Sequence, residues 1–160
     1  MPGDGIVVAV AAVDSGSSGS AFAVTKGLPG DARFEIGSIT KTMTAALLGS
    51  LAGDGVLALD DEIGRWLDAG PNGSITLEQL ATHTSGLPRL ASNQPAGEAN
   101  PYRDFTARHA EEGLRTVTRA PGAGHLYSNF GCQLLGLALE RPAASATRTC
   151  WRNGCSGRSR

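Results

Sequence analysis

An α+β fold is predicted for this 160-residue chain by four of its stretches. Residues 6–13 form a continuous apolar run rich in valine, the length and composition of a buried strand. A Ser/Gly-rich segment, 14–20, separates it from a second apolar run at 21–26, so the two read as an antiparallel hairpin at one side of a sheet. Two longer apolar stretches, 36–48 and 130–140, carry the small and aliphatic residues of packed helices. Aromatic residues are only 5% of the chain and glycines number 22, so the core must be built from Ala, Val, Leu and Ile between tight turns.

The chain is organised around residues 34–48. The expectation is a short apolar strand at 34–36, a turn at Gly37, and a buried central helix with Ile36, Ile39, Met43, Ala46 and Leu47 around most of its circumference. Ser38 falls at the first turn of that helix, and Lys41 at i+3 lies on the same face. A serine hydroxyl is a weak nucleophile until a neighbouring base takes its proton. An amine one turn away can serve when burial and the positive helix N-terminus favour its neutral form. The unpaired N–H groups of a first turn also point toward a developing oxyanion. Against this stands the plain reading of Ser-x-x-Lys as a solvated helix start, since serine is a favoured cap and lysine common on exposed faces.

The central helix is expected to end near Gly53 or Gly55. Residues 56–63 form a connector, with Trp66 and Leu67 packing beneath the helix, and 71–74 a turn. Thr76 has Gln79 three residues later, the pattern of a capping box, so a short helix is expected over 77–82. His83 then sits in a tight helix-to-loop turn, where a histidine is more often a hydrogen-bonding brace than a catalyst. Residues 89–101 read as a long surface loop and 105–117 as helical. A glycine-rich turn at 121–129 brings Tyr127 and Asn129 to the start of the apolar helix at 130–140. A single tyrosine there is commonly a half-buried core residue with a satisfied hydroxyl.

Charge excludes some partners. Five of the 14 basic residues are arginines within 141–160, where there is no acid, leaving nine basic against 15 acidic side chains before them. An acidic body argues against nucleic acid as partner. The three cysteines, Cys132, Cys150 and Cys155, have no histidine at metal-ligand spacing, so neither a disulfide framework nor a metal site is expected. No transmembrane run is present. Residues 1–5 lack the basic start of a signal peptide, which makes a cytoplasmic location the default expectation.

Three motifs in order resemble the serine β-lactamase and penicillin-binding-protein superfamily. They are Ser38-Ile39-Thr40-Lys41, the stretch from Leu80 to Pro88 that contains His83-Thr84-Ser85-Gly86, and Pro121-Gly122 leading to Tyr127-Ser128-Asn129. The nearest resemblance is to the class C, AmpC-like and esterase-like branch, over residues 5–140. It implies a β-lactamase/transpeptidase-like α+β fold, with an antiparallel sheet flanked by helices and a helical region, the active site lying between them. By position, Ser38 would be the acylated nucleophile, Lys41 and Tyr127 jointly the proton acceptors, and Asn129 the partner of the substrate amide and of Lys41. The Ser38 N–H would supply one oxyanion donor. The substrate would be a small molecule or peptide: a β-lactam, a D-alanyl peptide or an ester. No cofactor is implied, and the oligomeric state is left open.

The resemblance is incomplete. The family's third motif, Lys/His-Thr/Ser-Gly on a strand lining the site, does not follow Tyr127. The chain therefore reads as the N-terminal part of such a domain, residues 1–140, with the apolar surface of its central helix open to water. After Glu140 the composition changes to an Arg-rich tail without periodicity, in which Pro142 is expected to stop the helix. Synonymous codons read in another frame from Ala146 can encode a string of helical periodicity. An out-of-frame tail is one expectation and an ordinary disordered C-terminus the other. Two further readings stand beside the hydrolase: a non-catalytic acyl-binding or sensing relative, and an inactive truncated fragment.

Overall fold

The computed structural model describes residues 7–14, 17–24, 33, 35–94, 102–119 and 124–153. The chain divides into two compact units, Met1–Gly37 and Ser38–Arg160.

In the first unit, β1 (Val7–Asp14) pairs antiparallel with β2 (Ser17–Val24), in a register that runs from Val7 opposite Val24 to Asp14 opposite Ser17. The hairpin is as expected, but its connection is shorter. Residues 17–20, expected as turn from their serines and glycine, are paired strand. Backbone pairing is available to any non-proline residue, so the ladder overrides low β-propensity here. Among the described residues this ribbon is the only sheet. Glu35 and Ile36 are not in a strand, and residue 34 lies outside the described residues.

The second unit is helical: α1 (Thr40–Gly53), α2 (Leu77–Ala81), α3 (Ala107–Thr116) and α4 (Asn129–Asn153). A single 3-10 turn, Gly37–Ile39, leads into α1, and Gly37 has a φ of 52°, the left-handed region that glycine enters without steric cost. α2 is short and held by its ends. Thr76 accepts a hydrogen bond from the Gln79 N–H and Gln79 Oε1 accepts one from the Thr76 N–H, both at 3.1 Å, the reciprocal box expected from the sequence. α3 starts with a second box, in which the Thr106 side chain takes the His109 N–H and the His109 ring takes the Thr106 N–H. Its other end is satisfied from a distance. Buried Asn72 donates through Nδ2 to the carbonyls of Leu114 (2.7 Å) and Val117 (2.9 Å), covering acceptors that a helix C-terminus leaves unpaired.

One core joins these elements. Leu48 and Leu51 of α1, Leu77 and Leu80 of α2, Ala110 and Leu114 of α3, and Phe130, Leu134, Leu135, Ala138 and Leu139 of α4 are buried together. Leu57, Ile63, Leu67, Ala69, Ile75, Leu87 and Ala91 complete the cluster, with Trp66 half-buried against it. The residues of α4 recur at three- and four-residue intervals, the stripe of a helix packed on one side.

α1 departs from the buried central helix expected from its apolar circumference, and its exposed face agrees with the expectation of an apolar surface open to water. Ile39 is 61% and Met43 60% exposed, and Ile36 and Leu47 are exposed beside them; only Leu48 and Leu51 are buried. A helix apolar on most sides does not tell which side finds a partner, and here the Leu48–Leu51 side packs. α4 also departs from expectation, continuing through Pro142 to Asn153 with no break at Glu140. Pro142 forfeits one hydrogen bond, to the Ala138 carbonyl, a loss of about 3 kcal/mol in a helix interior. Alanine, the strongest helix former, recurs on its C-terminal side. Arg141 is held to α3 by a 2.6 Å ion pair with Glu111. Residues 154–160, with Cys155, and residues 95–101 and 120–123 of the expected loops lie outside the described residues.

Candidate active site

Two segments of the second unit meet at Ser38. Lys41, one turn along, donates from Nζ to Ser38 Oγ at 3.0 Å. Tyr127, 89 residues away in sequence, donates from its hydroxyl to the same oxygen at 2.7 Å. The Lys41 ammonium also lies 5.1 Å from the centre of the Tyr127 ring. Ser38, Lys41 and Tyr127 are thus brought together as one cluster. Ser38 is exposed, and Lys41 and Tyr127 are half-buried.

The cluster favours proton transfer at Tyr127. Hydrogen bonding to Lys41, then hydrogen bonding to Ser38, and the Lys41 charge hold the phenol below its ordinary 10.0. Desolvation and Cys132 oppose them. A phenol shifted this way gives up its proton more readily than a free tyrosine, and as a phenolate it would accept the proton of Ser38.

The segment that carries Tyr127 is fixed on both sides. Ser128, fully buried, donates from Oγ to the Pro88 carbonyl (2.6 Å) and accepts the Gly131 N–H (2.8 Å), which makes it the cap of α4. The Asn129 and Phe130 N–H groups both reach the Arg89 carbonyl. Asn129 itself does not meet Lys41 as expected. Its Nδ2 donates to the Tyr102 hydroxyl at 3.1 Å, and its buried Oδ1 has no hydrogen-bond partner. Asn129 leads α4, so its side-chain direction follows that helix and the Tyr102 loop. Sequence reasoning misses Ser128 and Tyr102; a serine one residue before an apolar helix is a capping signal for the first, and no local signal marks the second.

His83 is a brace, as the sequence suggests. Its Nδ1 accepts the Ser128 N–H at 3.2 Å and its carbonyl accepts the Leu126 N–H at 2.7 Å. Its ring lies 4.6 Å from that of Tyr127 and 5.5 Å from that of His125. Burial first, then the charges of His125 and Lys41, push its pKa below the ordinary 6.5. A histidine depressed in the folded state leaves the unfolded chain to take up the extra proton below about pH 6.5, so stability falls on acidification through that window. Urea unfolding at about pH 7 and about pH 5 is expected to show this loss, with a shallower pH dependence in His83→Asn.

Among the described residues no group of His, Cys, Asp and Glu could hold a metal ion, and no helix is long and apolar enough to cross a membrane. A cavity of about 240 Å³ lies between α3 and α4 and is lined by Phe105, Cys132, Gln133 and Leu137 among others; Ser38 is not among its lining residues.

Known proteins share this chain's sequence and fold. Penicillin-binding protein 4* of Bacillus subtilis is 32% identical over 112 residues, 68% of this chain and 25% of that protein. The D-alanyl-D-alanine-carboxypeptidase/endopeptidase AmpH of Escherichia coli is 36% identical over 121 residues, again 68% of this chain and 30% of the relative. The chain therefore spans between a quarter and a third of the length of these relatives. Among solved structures, a D-stereospecific amidohydrolase from Streptomyces sp. superposes with a TM-score of 0.67 at 27% identity, over 88% of this chain and 44% of that one. A class C beta-lactamase in complex with cefoxitin superposes at 0.63 and 20% identity, over 87% and 39%, which speaks to the fold alone. These neighbours carry the β-lactamase/transpeptidase fold. The family's own sequence model matches residues 3–152, past Pro142 and nearly to the end of α4. On that match, and on relatives that share its sequence across two thirds of its length, the chain belongs to the beta-lactamase family.

Proposed function

We propose that the Ser38 cluster is the acyl-transfer site of a serine hydrolase. The observation that carries this reading is the convergence of Lys41 Nζ and the Tyr127 hydroxyl on Ser38 Oγ, at 3.0 and 2.7 Å. A nucleophile with two proton-accepting groups in hydrogen-bond reach is the arrangement covalent catalysis requires. As Ser38 Oγ bonds to the acyl carbon, its proton passes to unprotonated Lys41 or to the Tyr127 phenolate. Collapse of the tetrahedral intermediate breaks the acyl C–N or C–O bond, and the proton goes to the leaving group. Water then gives a proton to the same pair as its oxygen bonds to the acyl carbon, and the acyl C–Oγ bond breaks with that proton returning to Ser38 Oγ. The Ser38 N–H is suited to the oxyanion, and Asn129, two residues after Tyr127, is the candidate partner of a substrate amide through its side-chain amide once it leaves Tyr102. By its name AmpH is a D-alanyl-D-alanine carboxypeptidase/endopeptidase and the Streptomyces protein a D-stereospecific amidohydrolase, which supports an amide or peptide substrate; a β-lactam or an ester rests on the family resemblance.

The exposure of Ser38 favours a second reading. Donors facing water stabilise an oxyanion less than donors in a dry cleft. On that reading Ser38 is acylated but not released, which is binding or sensing. Stopped-flow hydrolysis of p-nitrophenyl acetate separates the two. The hydrolase gives a burst followed by steady turnover, and the binding relative gives one equivalent of product and stops. Ser38→Ala is expected to abolish both phases; activity that survives it would remove Ser38 from the chemistry.

A further inference from the structure

His83 occupies a backbone position that does not suit it. α2 ends at Ala81 with Thr82 as cap, and His83 follows with a φ of 59°, the one non-glycine residue at positive φ among those described. The Thr82 N–H returns to the Glu78 carbonyl and the Thr84 N–H to the Gln79 carbonyl. This is the left-handed termination in which glycine is the usual residue. A Cβ in the left-handed region is sterically disfavoured, and such strain persists where the surrounding structure holds it, as at functional sites. His83 takes the Leu126 N–H on its carbonyl and the Ser128 N–H on Nδ1, the two backbone donors on either side of Tyr127. Its ring lies against the Tyr127 ring between them.

We propose that His83 is the positioning residue for Tyr127, fixing the phenol on Ser38 by gripping the chain on both sides of it. The inference rests on the assignment of Tyr127 to the acyl-transfer site. The carbonyl contact is available to any residue, but the Nδ1 contact needs a side-chain acceptor, so the imidazole must be neutral with its proton on Nε2. The groups facing it favour that state: they are the edge of His125, the Tyr127 ring and the Lys41 cation, and none of them is a carboxylate. Asparagine is the closest substitute, since it tolerates the left-handed region and offers an acceptor near Nδ1. Glycine fits the backbone better than histidine but offers no acceptor.

The test reads Tyr127 directly and needs no substrate. The chain has two tyrosines, so ¹³Cζ-tyrosine labelling gives two resonances, assigned with Tyr102→Phe. Wild type is expected to titrate Tyr127 below 10.0, the direction set by Lys41 and Ser38. His83→Gly, which keeps the favoured helix termination and therefore folds, is expected to raise that midpoint by about half a pH unit or more, while His83→Asn stays close to wild type. Imidazole ¹⁵N shifts are expected to show His83 Nδ1 unprotonated near neutral pH. A His83→Gly midpoint equal to wild type, a His83→Asn midpoint equal to that of His83→Gly, or a proton on Nδ1 would each overturn the proposal. Absence of Ser38 acylation with the tyrosine shifts as expected would instead overturn the hydrolase and leave the positioning role standing.

Discussion

Lys41→Met is expected to slow acylation of Ser38 by about 10²–10⁴-fold, the range that a positioned general base contributes. The loss is large because Lys41 acts twice. Its Nζ is 3.0 Å from Ser38 Oγ, where it can take the proton itself. It is also the foremost cause of the lowered Tyr127 pKa. Removing it therefore returns the tyrosine toward an ordinary phenol and weakens the second acceptor with the first. Two results follow for pre-steady-state acetylation by p-nitrophenyl acetate. The ascending limb of the pH–rate profile, set by deprotonation of Tyr127, is expected to move to higher pH in Lys41→Met. The double variant with Tyr127→Phe is expected to lose much less than the product of the single losses, as for groups that work as a unit. Fully multiplicative losses would mean that the two act on separate steps.

Phe130→Ala is expected to destabilise the chain by about 3–5 kcal/mol, the range for emptying a buried aromatic site. Phe130 is fully buried one residue after Asn129, and a Cβ built on Gly113 of α3 would stand 3.4 Å from the end of its ring. Its backbone N–H is bound to the Arg89 carbonyl, so the ring ties together α3, α4 and the loop below the site. A single domain commonly holds only about 5–15 kcal/mol, so this variant should lose a large share of its stability. Urea unfolding monitored by tryptophan fluorescence, with Trp66 packed against the core, measures it. A loss below about 1 kcal/mol would mean that the α3–α4 contact is not part of the cooperative core.

Much of the site and of its helical frame is legible in the sequence. The i, i+3 spacing places Ser38 and Lys41 on one face, and their 3.0 Å contact follows from helix geometry. The Thr76–Gln79 box is equally local and forms as its spacing predicts. The contact of Tyr127 with Ser38 spans 89 residues, and no periodicity reports such a pair; only the family resemblance places them together. Other features depend on which partner a residue meets in space. The strand pairing of residues 17–20 and the passage of α4 through Pro142 run against local preference. The partner of Asn129 escapes the sequence for the same reason, since Tyr102 reaches it from a loop with no pattern. His83 shows the limit most clearly. Its turn is legible, but the left-handed backbone that makes the choice of histidine informative is not.

The most direct measurement is to locate the acyl group. The chain is treated with an excess of p-nitrophenyl acetate, quenched in acid, and analysed by intact mass and then peptide mapping. The account predicts one acetyl group, on Ser38, its loss in Ser38→Ala and its slower appearance in Lys41→Met. Acetyl groups spread over lysines, or a label that survives Ser38→Ala, would contradict it.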